Sequence, residues 1–325
     1  MKILVTGATG FLGRAVVSAM AAHGHAVVAF ARIASASPLS CARIDGDIRD
    51  EGAVLAAADG CDAICHLAAL VSVWRRRRAE FDEVNIGGLR AVLKAAARLG
   101  TGRVVYTSSF LALPPGGSAE PVMWNDYQRT KVLADREAAG AAERGAPLIR
   151  IYPGVIYGPG PVGESNLVGH MIADHLAGRL AGLVGATRLW SYAFVDDVAE
   201  GHVAALERGR VGERYVLGGD NAPQMRVFEI LRDLTGARLP HRIPYVAALA
   251  FAALEQSRAS LAGGAPFVTI GTVRILNRDW ALSSDLACRE LGLRVTPLDA
   301  GLPRAVAALG DPGLSDTTRT AGDNT

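Results

Sequence analysis

A glycine-rich turn close to the amino terminus constrains the fold of this chain more than any other feature. Lys2–Thr6 has the apolar pattern of a buried strand, Gly7-Ala8-Thr9-Gly10-Phe11-Leu12-Gly13 follows it, and a predicted helix begins at Arg14. Gly7 permits a tight turn, Gly10 lets a ligand approach the backbone, and Gly13 lets helix and strand pack closely. A helix that begins at such a turn offers free N–H groups and the positive end of its dipole to a phosphate. We therefore predict that the pyrophosphate of a dinucleotide binds here, at Gly7, Thr9, Gly10, Phe11 and Leu12.

Short apolar strands alternate with alanine-rich helices through the first half of the chain. Further strands are predicted at Ala26–Phe30, Ala42–Ile44, Ala63–Leu67, Arg103–Thr107 and Leu148–Tyr152, and helices at Arg14–His23, Gly52–Ala58, Glu80–Leu99 and Tyr127–Arg144. Strands that are apolar along their length and separated by helices are typical of a parallel sheet covered on both faces. The sequence therefore predicts an α/β fold, with a Rossmann-type doubly wound parallel sheet over residues 1–160.

The pattern changes after Pro153. Residues 154–163 are rich in glycine and proline and are predicted to form a loop. Helices are predicted at Leu167–Leu180, Val195–Glu207 and Met225–Leu234, and a strand at Arg214–Leu217. We expect residues 161–310 to form a smaller, mostly helical substrate-binding part, with residues 190–220 returning to the first domain. Residues 311–325 are polar and unpatterned, which predicts a disordered tail.

Charge and cysteine content exclude several classes of partner. The 34 basic and 32 acidic residues leave a net charge of +2, whereas nucleic-acid binders usually carry a strong basic excess. The four cysteines have no zinc-ligand spacing, so we expect no metal, and free thiols fit a reducing cytoplasm. Met1 leads directly into a strand, and the longest apolar stretch, Tyr245–Leu254, is too short to cross a bilayer. We expect a soluble cytoplasmic protein with no membrane span.

A tyrosine and a lysine four residues apart carry the predicted chemistry. Tyr127 and Lys131 lie on one face of a predicted helix, one turn apart. A phenol has a pKa of about 10, and a neighbouring ammonium together with an oxidised nicotinamide would favour the phenolate and lower that pKa. We predict that Tyr127 transfers the proton, while Lys131 lowers its pKa and binds the nicotinamide ribose. An exposed Tyr–Lys pair on a solvated helix face is the alternative.

Hydroxyl groups at the end of a buried strand support this interpretation. Arg103–Thr107 leads into Ser108 and Ser109, and the carboxyl ends of parallel strands are where ligands bind in such sheets. A serine there can hold a carbonyl or alcohol oxygen beside the phenol. We predict Ser109 in this role, with Ser108 as the competing choice.

Taken together, these motifs resemble those of the extended short-chain dehydrogenases/reductases. The resemblance rests on Thr6–Gly13, His66-Leu67-Ala68-Ala69, Asn85, Tyr106-Thr107-Ser108-Ser109, Tyr127–Lys131 and Tyr152-Pro153-Gly154, which occur in the order seen in that family. The stretches Arg150–Gly160, Glu213–Asn221 and Asp279–Ser283 are most similar to its dihydroflavonol-reductase-like and farnesol-dehydrogenase-like branch. The resemblance implies further contacts to an NAD(P) cofactor, with Pro153 beside the nicotinamide and Asn85 supporting the cofactor region. The full set of these contacts is Leu67, Ala68, Ala69, Asn85, Thr107, Tyr127, Lys131, Tyr152, Pro153, Gly154 and Val155.

The end of the second strand bears on the choice between NAD and NADP. It carries Arg32 and no carboxylate, and a guanidinium can pair with a 2′-phosphate. NADP(H) is therefore favoured over NAD(H), although farnesol dehydrogenases can carry a basic residue here and still use NAD. Asp47 and Ile48 resemble the pair that holds the adenine, with an ordinary turn residue as the alternative for Asp47.

The residues after Ser109 indicate the substrate class. Sugar-nucleotide dehydratases of the family carry Asp-Glu at this point, whereas Phe110 and Leu111 stand here. An apolar wall favours a small lipophilic ketone, aldehyde or alcohol as the substrate of an NAD(P)-dependent oxidoreductase. A redox-neutral epimerase or dehydratase and a non-enzymatic NAD(P)-sensing protein are the alternatives. Homodimers are frequent in this family, so a homodimer is an expected assembly.

Two weaker signals have opposing interpretations. The basic run Arg75–Arg78 could meet an anionic substrate, but a solvated loop is the favoured interpretation. The aromatic residues Trp74, Trp124, Trp190 and Tyr192 could line a substrate pocket or pack in the core.

Overall fold

The computed structural model describes residues 1–309, and a seven-stranded parallel sheet forms its centre. The order of strands across this sheet is β10-β6-β5-β4-β1-β2-β3. Its strands are β1 (Lys2–Thr6), β2 (Ala26–Ala31), β3 (Ala42–Asp45), β4 (Ala63–His66), β5 (Arg103–Thr107), β6 (Leu148–Pro153) and β10 (Arg214–Leu217). The central strand β1 pairs with β2 on one side and β4 on the other, so that Val5 lies between Ala29 and Cys65. The predicted α/β fold with a Rossmann-type sheet is confirmed.

Helices cover both faces of the sheet. The helices of the chain are α1 (Phe11–Ala22), α2 (Glu51–Ala58), α3 (Ala79–Phe81), α4 (Gly88–Leu99), α5 (Asp126–Glu143), α6 (Leu167–Leu176), α7 (Val195–Arg208), α8 (Gln224–Thr235), α9 (Tyr245–Ala262), α10 (Ile270–Leu276), α11 (Asp285–Leu291) and α12 (Leu298–Leu309). Side chains of α1 and α7 pack into one core, and those of α2, α4 and α5 into a second core on the opposite face. This arrangement explains why the strands are apolar on both faces.

The helix predicted over Glu80–Leu99 is not continuous. A π-helical segment, Asp82–Gly87, separates α3 from α4. Such segments are rare and are frequently found at functional sites. Here the segment carries the buried Asn85.

The carboxyl-terminal part contains two small sheets that the local pattern did not reveal. The strands β7 (Val155–Tyr157), β9 (Leu189–Phe194) and β11 (Asp220–Pro223) form a three-stranded sheet, and β8 (Leu183–Val184) pairs with β12 (Arg242–Ile243). The prediction of a loop over residues 154–163 is therefore wrong at Val155–Tyr157. Its partner strand lies more than 30 residues further along the chain, so no local periodicity announces the pairing.

Other boundaries differ by smaller amounts. The helix predicted to reach Leu180 ends at Leu176, where Gly178 adopts a positive φ of 71°. Within residues 1–309, no helix is both long enough and apolar enough to cross a bilayer. The tail predicted over residues 311–325 lies outside the described residues, and the division at residue 160 stays a prediction.

Candidate active site

The glycine turn has the geometry that the sequence predicts. Gly7 has φ 70°, and a Cβ there would lie 2.7 Å from the Ala68 nitrogen. A Cβ at Gly13 would lie 2.1 Å from the Gly7 carbonyl oxygen, so only glycine lets α1 pack on the turn. Gly10 is the N-cap of α1 and offers no side chain to the first turn, whose N–H groups therefore stay available. The residues present fit a dinucleotide, whose pyrophosphate would meet the N–H groups of Phe11 and Leu12.

The end of β4 forms the floor beside this turn. The Ala68 N–H donates to the Thr6 hydroxyl group at 3.3 Å, and that hydroxyl is hydrogen-bonded to His66 Nδ1 at 2.7 Å. Burial and the nearby charge of Lys131 lower the pKa of His66 to about 3. His66 is therefore neutral and supports the sheet, while the backbone of Leu67 and Ala68 lies next to Gly7 and Ala69 follows in the chain.

The predicted catalytic pair lies on α5. Asn125 caps this helix by accepting from the Gln128 N–H at 2.8 Å, which fixes the first turn and Tyr127 within it. One turn later the buried Lys131 donates from Nζ to the carbonyl oxygen of Thr107 at 3.1 Å. The helix is thereby tied to the carboxyl end of β5, and an exposed, solvated Lys131 is excluded.

Burial changes the pKa values of both Tyr127 and Lys131. It lowers the pKa of Lys131 to about 8, because the ammonium loses its water. It raises the pKa of Tyr127 to about 12, and the neighbouring Ser109 side chain acts in the opposite direction. The expectation that Lys131 lowers the pKa of this phenol is not met by the protein alone, since desolvation outweighs other influences.

The two candidate serines point in different directions. Ser109 interacts with Tyr127 and also accepts from the Leu111 N–H at 3.2 Å, which caps a short 3₁₀ turn. Ser108 lies on the other side of the chain, close to Tyr106 and Asp135, and its buried hydroxyl has no hydrogen-bond partner within residues 1–309. The alternation of side chains at a strand end explains this division and supports the choice of Ser109.

Thr107 contributes its backbone carbonyl oxygen to the site, where it accepts the hydrogen bond from Lys131 Nζ. Its hydroxyl group is hydrogen-bonded to His202 Nε2 at 2.9 Å, deep between β5 and α7. His202 also donates from Nδ1 to the Val198 carbonyl at 2.7 Å, and burial lowers its pKa to about 4. Sequence reasoning missed His202, whose only signal is its place on the apolar face of α7.

Asn85 joins the π-helical segment to α5, the helix that carries the predicted catalytic pair. Its side-chain oxygen accepts from the Leu70 N–H at 2.7 Å, and its Nδ2 donates to the Thr130 hydroxyl at 2.9 Å. Thr130 lies between Tyr127 and Lys131 on α5. Asn85 therefore holds the chain after β4 against the catalytic helix, in keeping with the supporting role that the resemblance implies.

A buried carboxyl group behind Lys131 also escaped sequence reasoning. Asp135 follows Lys131 by one turn, and its Oδ1 has no hydrogen-bond partner within residues 1–309. Burial raises the pKa of this carboxyl group, while Tyr152, Ser108 and the charge of Arg150 act in the opposite direction. The spacing Tyr127, Lys131, Asp135 is the signal that could have revealed it.

The residues predicted to contact the adenosine end of the cofactor follow the ends of β2 and β3. Arg32 is exposed and lies close enough to Asp47 for its charge to lower the pKa of that carboxyl group. The stronger influence is Arg49, whose Nη2 lies 2.6 Å from Asp47 Oδ2. Ile48 is 7% exposed and faces Gly88 at the start of α4, so most of its surface belongs to the core.

The segment after β6 approaches the site through its backbone. Tyr152 and Val155 are buried, and Pro153 is the last residue of β6. The Gly154 N–H donates to the Leu217 carbonyl at 3.0 Å, and a Cβ at Gly154 would lie 2.5 Å from the backbone carbonyl oxygen of Ser191. This close crossing joins the large sheet to the three-stranded sheet.

Aromatic side chains surround the half-buried Tyr127. The Phe110 ring lies 5.4 Å from that of Trp280 and 6.3 Å from that of Trp190, and Tyr127 packs against the same apolar cluster. Trp190 and Tyr192 are buried in this core, which favours the packing interpretation for both. Trp74 and Trp124 are half-buried.

The basic run is largely engaged in ion pairs. Arg75 pairs with Glu164 at 3.2 Å, Arg77 with Glu83 at 2.5 Å and Arg78 with Asp126 at 2.7 Å. These contacts attach the loop after β4 to the surrounding elements.

A doubly wound sheet with a glycine turn at its first strand, and a Tyr–Lys pair at its carboxyl edge, defines an extended short-chain dehydrogenase/reductase. The chain belongs to the NAD dependent epimerase/dehydratase family, whose model matches residues 3–218. This confirms the predicted family and the prediction of a dinucleotide-dependent enzyme.

Comparison with individual proteins agrees with this assignment. The chain is 33% identical to sterol demethylase protein B of Methylococcus capsulatus over 97% of its own length and all of that protein. It is 31% identical to a putative dihydroflavonol 4-reductase of Synechocystis, over 93% of this chain and 92% of the relative. Among solved structures it is similar to gox2253, with a TM-score of 0.79 and 29% identity over 94% of this chain and 97% of that one.

Proposed function

We propose that this protein is an NAD(P)-dependent reductase or dehydrogenase that interconverts a lipophilic ketone or aldehyde with the corresponding alcohol. The observation that carries the proposal is the joint placement of Tyr127, Lys131 and Ser109 where α5 meets the carboxyl end of β5. The dinucleotide would be held by the glycine turn, by the chain after β4 and by Lys131. When bound, its nicotinamide supplies or accepts the hydride.

The residues of the chain supply the proton chemistry. In the reductive direction the Tyr127 phenol gives its proton to the substrate oxygen, and the Ser109 hydroxyl group donates a hydrogen bond to that oxygen. The Lys131 ammonium stabilises the phenolate that Tyr127 becomes, and solvent then reprotonates it. The raised pKa of Tyr127 keeps the phenol protonated at neutral pH, as a proton donor requires.

The surroundings of Tyr127 support a lipophilic substrate. Phe110 and the aromatic cluster around it present an apolar wall beside the phenol. The names of two relatives refer to a sterol and to a dihydroflavonol, which are both polycyclic and largely apolar. Residues 161–310 would supply most of this cleft. A homodimer is part of the proposal, and light scattering during size-exclusion chromatography tests it.

A redox-neutral epimerase or dehydratase is the second candidate, because the matching family model is named for epimerases and dehydratases. A reductase consumes its reduced cofactor in proportion to product, whereas an epimerase regenerates it within each turnover. Absorbance at about 340 nm during turnover separates the two. Stoichiometric loss of absorbance is expected, and turnover at constant absorbance would favour the epimerase. Binding of NAD(P) without turnover of any carbonyl compound would instead favour a sensing protein.

The pH dependence of reduction should report Lys131. Its lowered pKa of about 8 means that the ammonium loses its proton as the pH rises through that value. The phenolate then loses its stabilising charge, so kcat/KM for ketone reduction is expected to be constant between about pH 6 and 7.5 and to fall above about pH 8. The measurement uses low cofactor and ketone concentrations, where the profile reflects the free enzyme.

The Lys131→Arg variant is the matched control for this pH profile. A guanidinium keeps its charge beyond about pH 12, so the variant is expected to be slower but without a decline near pH 8. A decline at the same pH in both proteins would show that another group titrates.

Arg32 should decide the preference for NADP over NAD. Its exposed guanidinium lies at the end of β2, close to Asp47, and can pair with a 2′-phosphate. The Arg32→Ala variant is expected to raise KM for NADPH by about 10-fold and to leave KM for NADH within about twofold. Equal effects on both cofactors would leave Arg32 as a solvated surface residue. Initial rates with each cofactor at a fixed ketone concentration measure this.

A further inference from the structure

A cavity lined by three arginines lies beside the catalytic helix. Its volume is about 330 Å³, and its walls come from the residue before the N-cap of α5, the chain before β9, the first residue of α9, and α10 with the segment after it. The lining residues are Trp124, Arg188, Tyr245, Arg274, Asn277 and Arg278. None of them is used by the chemistry proposed above.

The charges around this cavity are unbalanced. Arg188 lies 3.4 Å from Asp279, which is also held by the Leu189 N–H. Arg274 and Arg278 make no ion pair within residues 1–309, in contrast to Arg78 and Arg129 at the start of α5, which both pair with carboxylates. Three guanidinium groups and one carboxylate leave two positive charges around one concave surface, which raises the local concentration of anions.

The cavity lies next to the start of α5, whose first turn carries Tyr127. Trp124 precedes Tyr127 by three residues, which limits the distance between their Cα atoms to about 11 Å. The Arg278 guanidinium lies 5.7 Å from the centre of the Trp124 ring, a cation–π contact that holds it over the cavity wall. At Gly271 a Cβ would lie 2.2 Å from the Trp124 oxygen, so α10 packs directly on the start of α5.

We propose that this cavity binds a carboxylate or phosphate group of the substrate, while the reacting carbon lies beside Tyr127. The inference rests on the proposed function and specifies its substrate class: an amphiphilic ketone or alcohol, with an apolar body against the aromatic cluster of Phe110 and an anionic group among Arg188, Arg274 and Arg278. Guanidinium groups suit both carboxylate and phosphate, because each offers paired oxygens to the planar N–H fork.

Calorimetry on the protein saturated with NAD, which occupies the glycine turn, tests the cavity without turnover; the ligands are inorganic pyrophosphate and a long-chain oxo fatty acid. The variant R274Q/R278Q removes two exposed charges, and we expect binding at least about 10-fold weaker than in the wild type. The control R98Q/R289Q removes the same net charge from exposed positions outside the cavity, and its binding should stay unchanged. Absence of saturable binding to the wild type, or equal losses in both double variants, overturns the proposal.

Kinetics then distinguish the two sources of the anionic group. An oxo fatty acid, its neutral methyl ester and an oxoalkyl phosphate of the same length are compared, with the ketone moved along the chain. At the best ketone position, at least one anionic compound is expected to exceed the ester in kcat/KM by about 10-fold, and R274Q/R278Q should remove this preference without slowing the ester. Equal rates for acid, phosphate and ester, or a preference that survives in the variant, overturn the inference. If no ketone is reduced, the proposed function fails, and the calorimetric result still decides whether the cavity binds anions.

Discussion

Replacing Tyr127 with phenylalanine is expected to lower kcat for ketone reduction by about 10³-fold, because the reaction loses its positioned proton donor. The phenol lies at the first turn of α5, interacts with Ser109 and precedes Lys131 by one turn. The ring itself stays, so packing against the aromatic cluster is preserved. Cofactor affinity should change by less than about threefold, since Lys131 and the glycine turn remain. Stopped-flow kinetics and titration of the cofactor fluorescence measure the two quantities.

Tyr157→Phe is the matched control for this experiment. The Tyr157 hydroxyl group is buried and has no hydrogen-bond partner within residues 1–309, so removing it should leave kcat unchanged and cost no hydrogen bond. A Tyr127→Phe enzyme that retains more than about a tenth of wild-type kcat would contradict the assigned role of Tyr127. Loss of activity in both variants would point instead to a general effect on the fold.

The substitution Gly13→Ala is expected to weaken dinucleotide binding strongly and to destabilise the protein. The new methyl group would lie 2.1 Å from the Gly7 oxygen and 2.9 Å from the Ala8 backbone, and neither can move without displacing the turn. Overpacking of this kind costs about 1–3 kcal/mol of unfolding free energy. We expect cofactor affinity to fall by at least about 100-fold, because the N–H groups of the turn lose their alignment. Thermal unfolding and cofactor titration check both effects.

Two further glycine variants separate the effect on cofactor binding from the effect on stability. Among residues 1–309, a Cβ at Gly10 would meet only the Gly7 oxygen, at 3.3 Å. Gly10→Ala should therefore lower the affinity for the cofactor, because the methyl group narrows its approach to the backbone, while stability changes little. At Gly102 no atom of residues 1–309 lies within 4 Å of the added methyl group, so Gly102→Ala should leave both quantities unchanged. If Gly13→Ala bound the cofactor as tightly as Gly102→Ala, the turn would not be the pyrophosphate site.

Short periodic patterns accounted for most of the large sheet. Strands such as Arg103–Thr107 lie where predicted, because a run apolar on both faces is a local property of the sequence. The π-helical segment at Asp82–Gly87 was not predictable in this way, since its composition is that of an ordinary helix. The strand Val155–Tyr157 was missed because its hydrogen bonds go to Ala193 and its neighbours, far along the chain.

In the candidate site too, some features follow from local sequence spacing and others depend on distant parts of the chain. The spacing of Tyr127 and Lys131 on one helix predicted that both face the same way, as a fixed helical period requires. The pKa values of the pair did not follow from spacing, because burial by distant elements determines them. The tertiary structure also shows that Asp47, the predicted adenine contact, already forms an ion pair with Arg49.

By itself the sequence determined the doubly wound sheet, the glycine turn and the Tyr–Lys pair, because each depends on residues within a few positions of one another. The tertiary structure alone decided the rest: which serine faces Tyr127, that Thr107 is hydrogen-bonded to His202, and that Arg188 shares a cavity with Arg274 and Arg278. These groups lie up to about 95 residues apart along the chain. Only the packing of the whole chain brings such distant residues together, and no short-range period of the sequence records it.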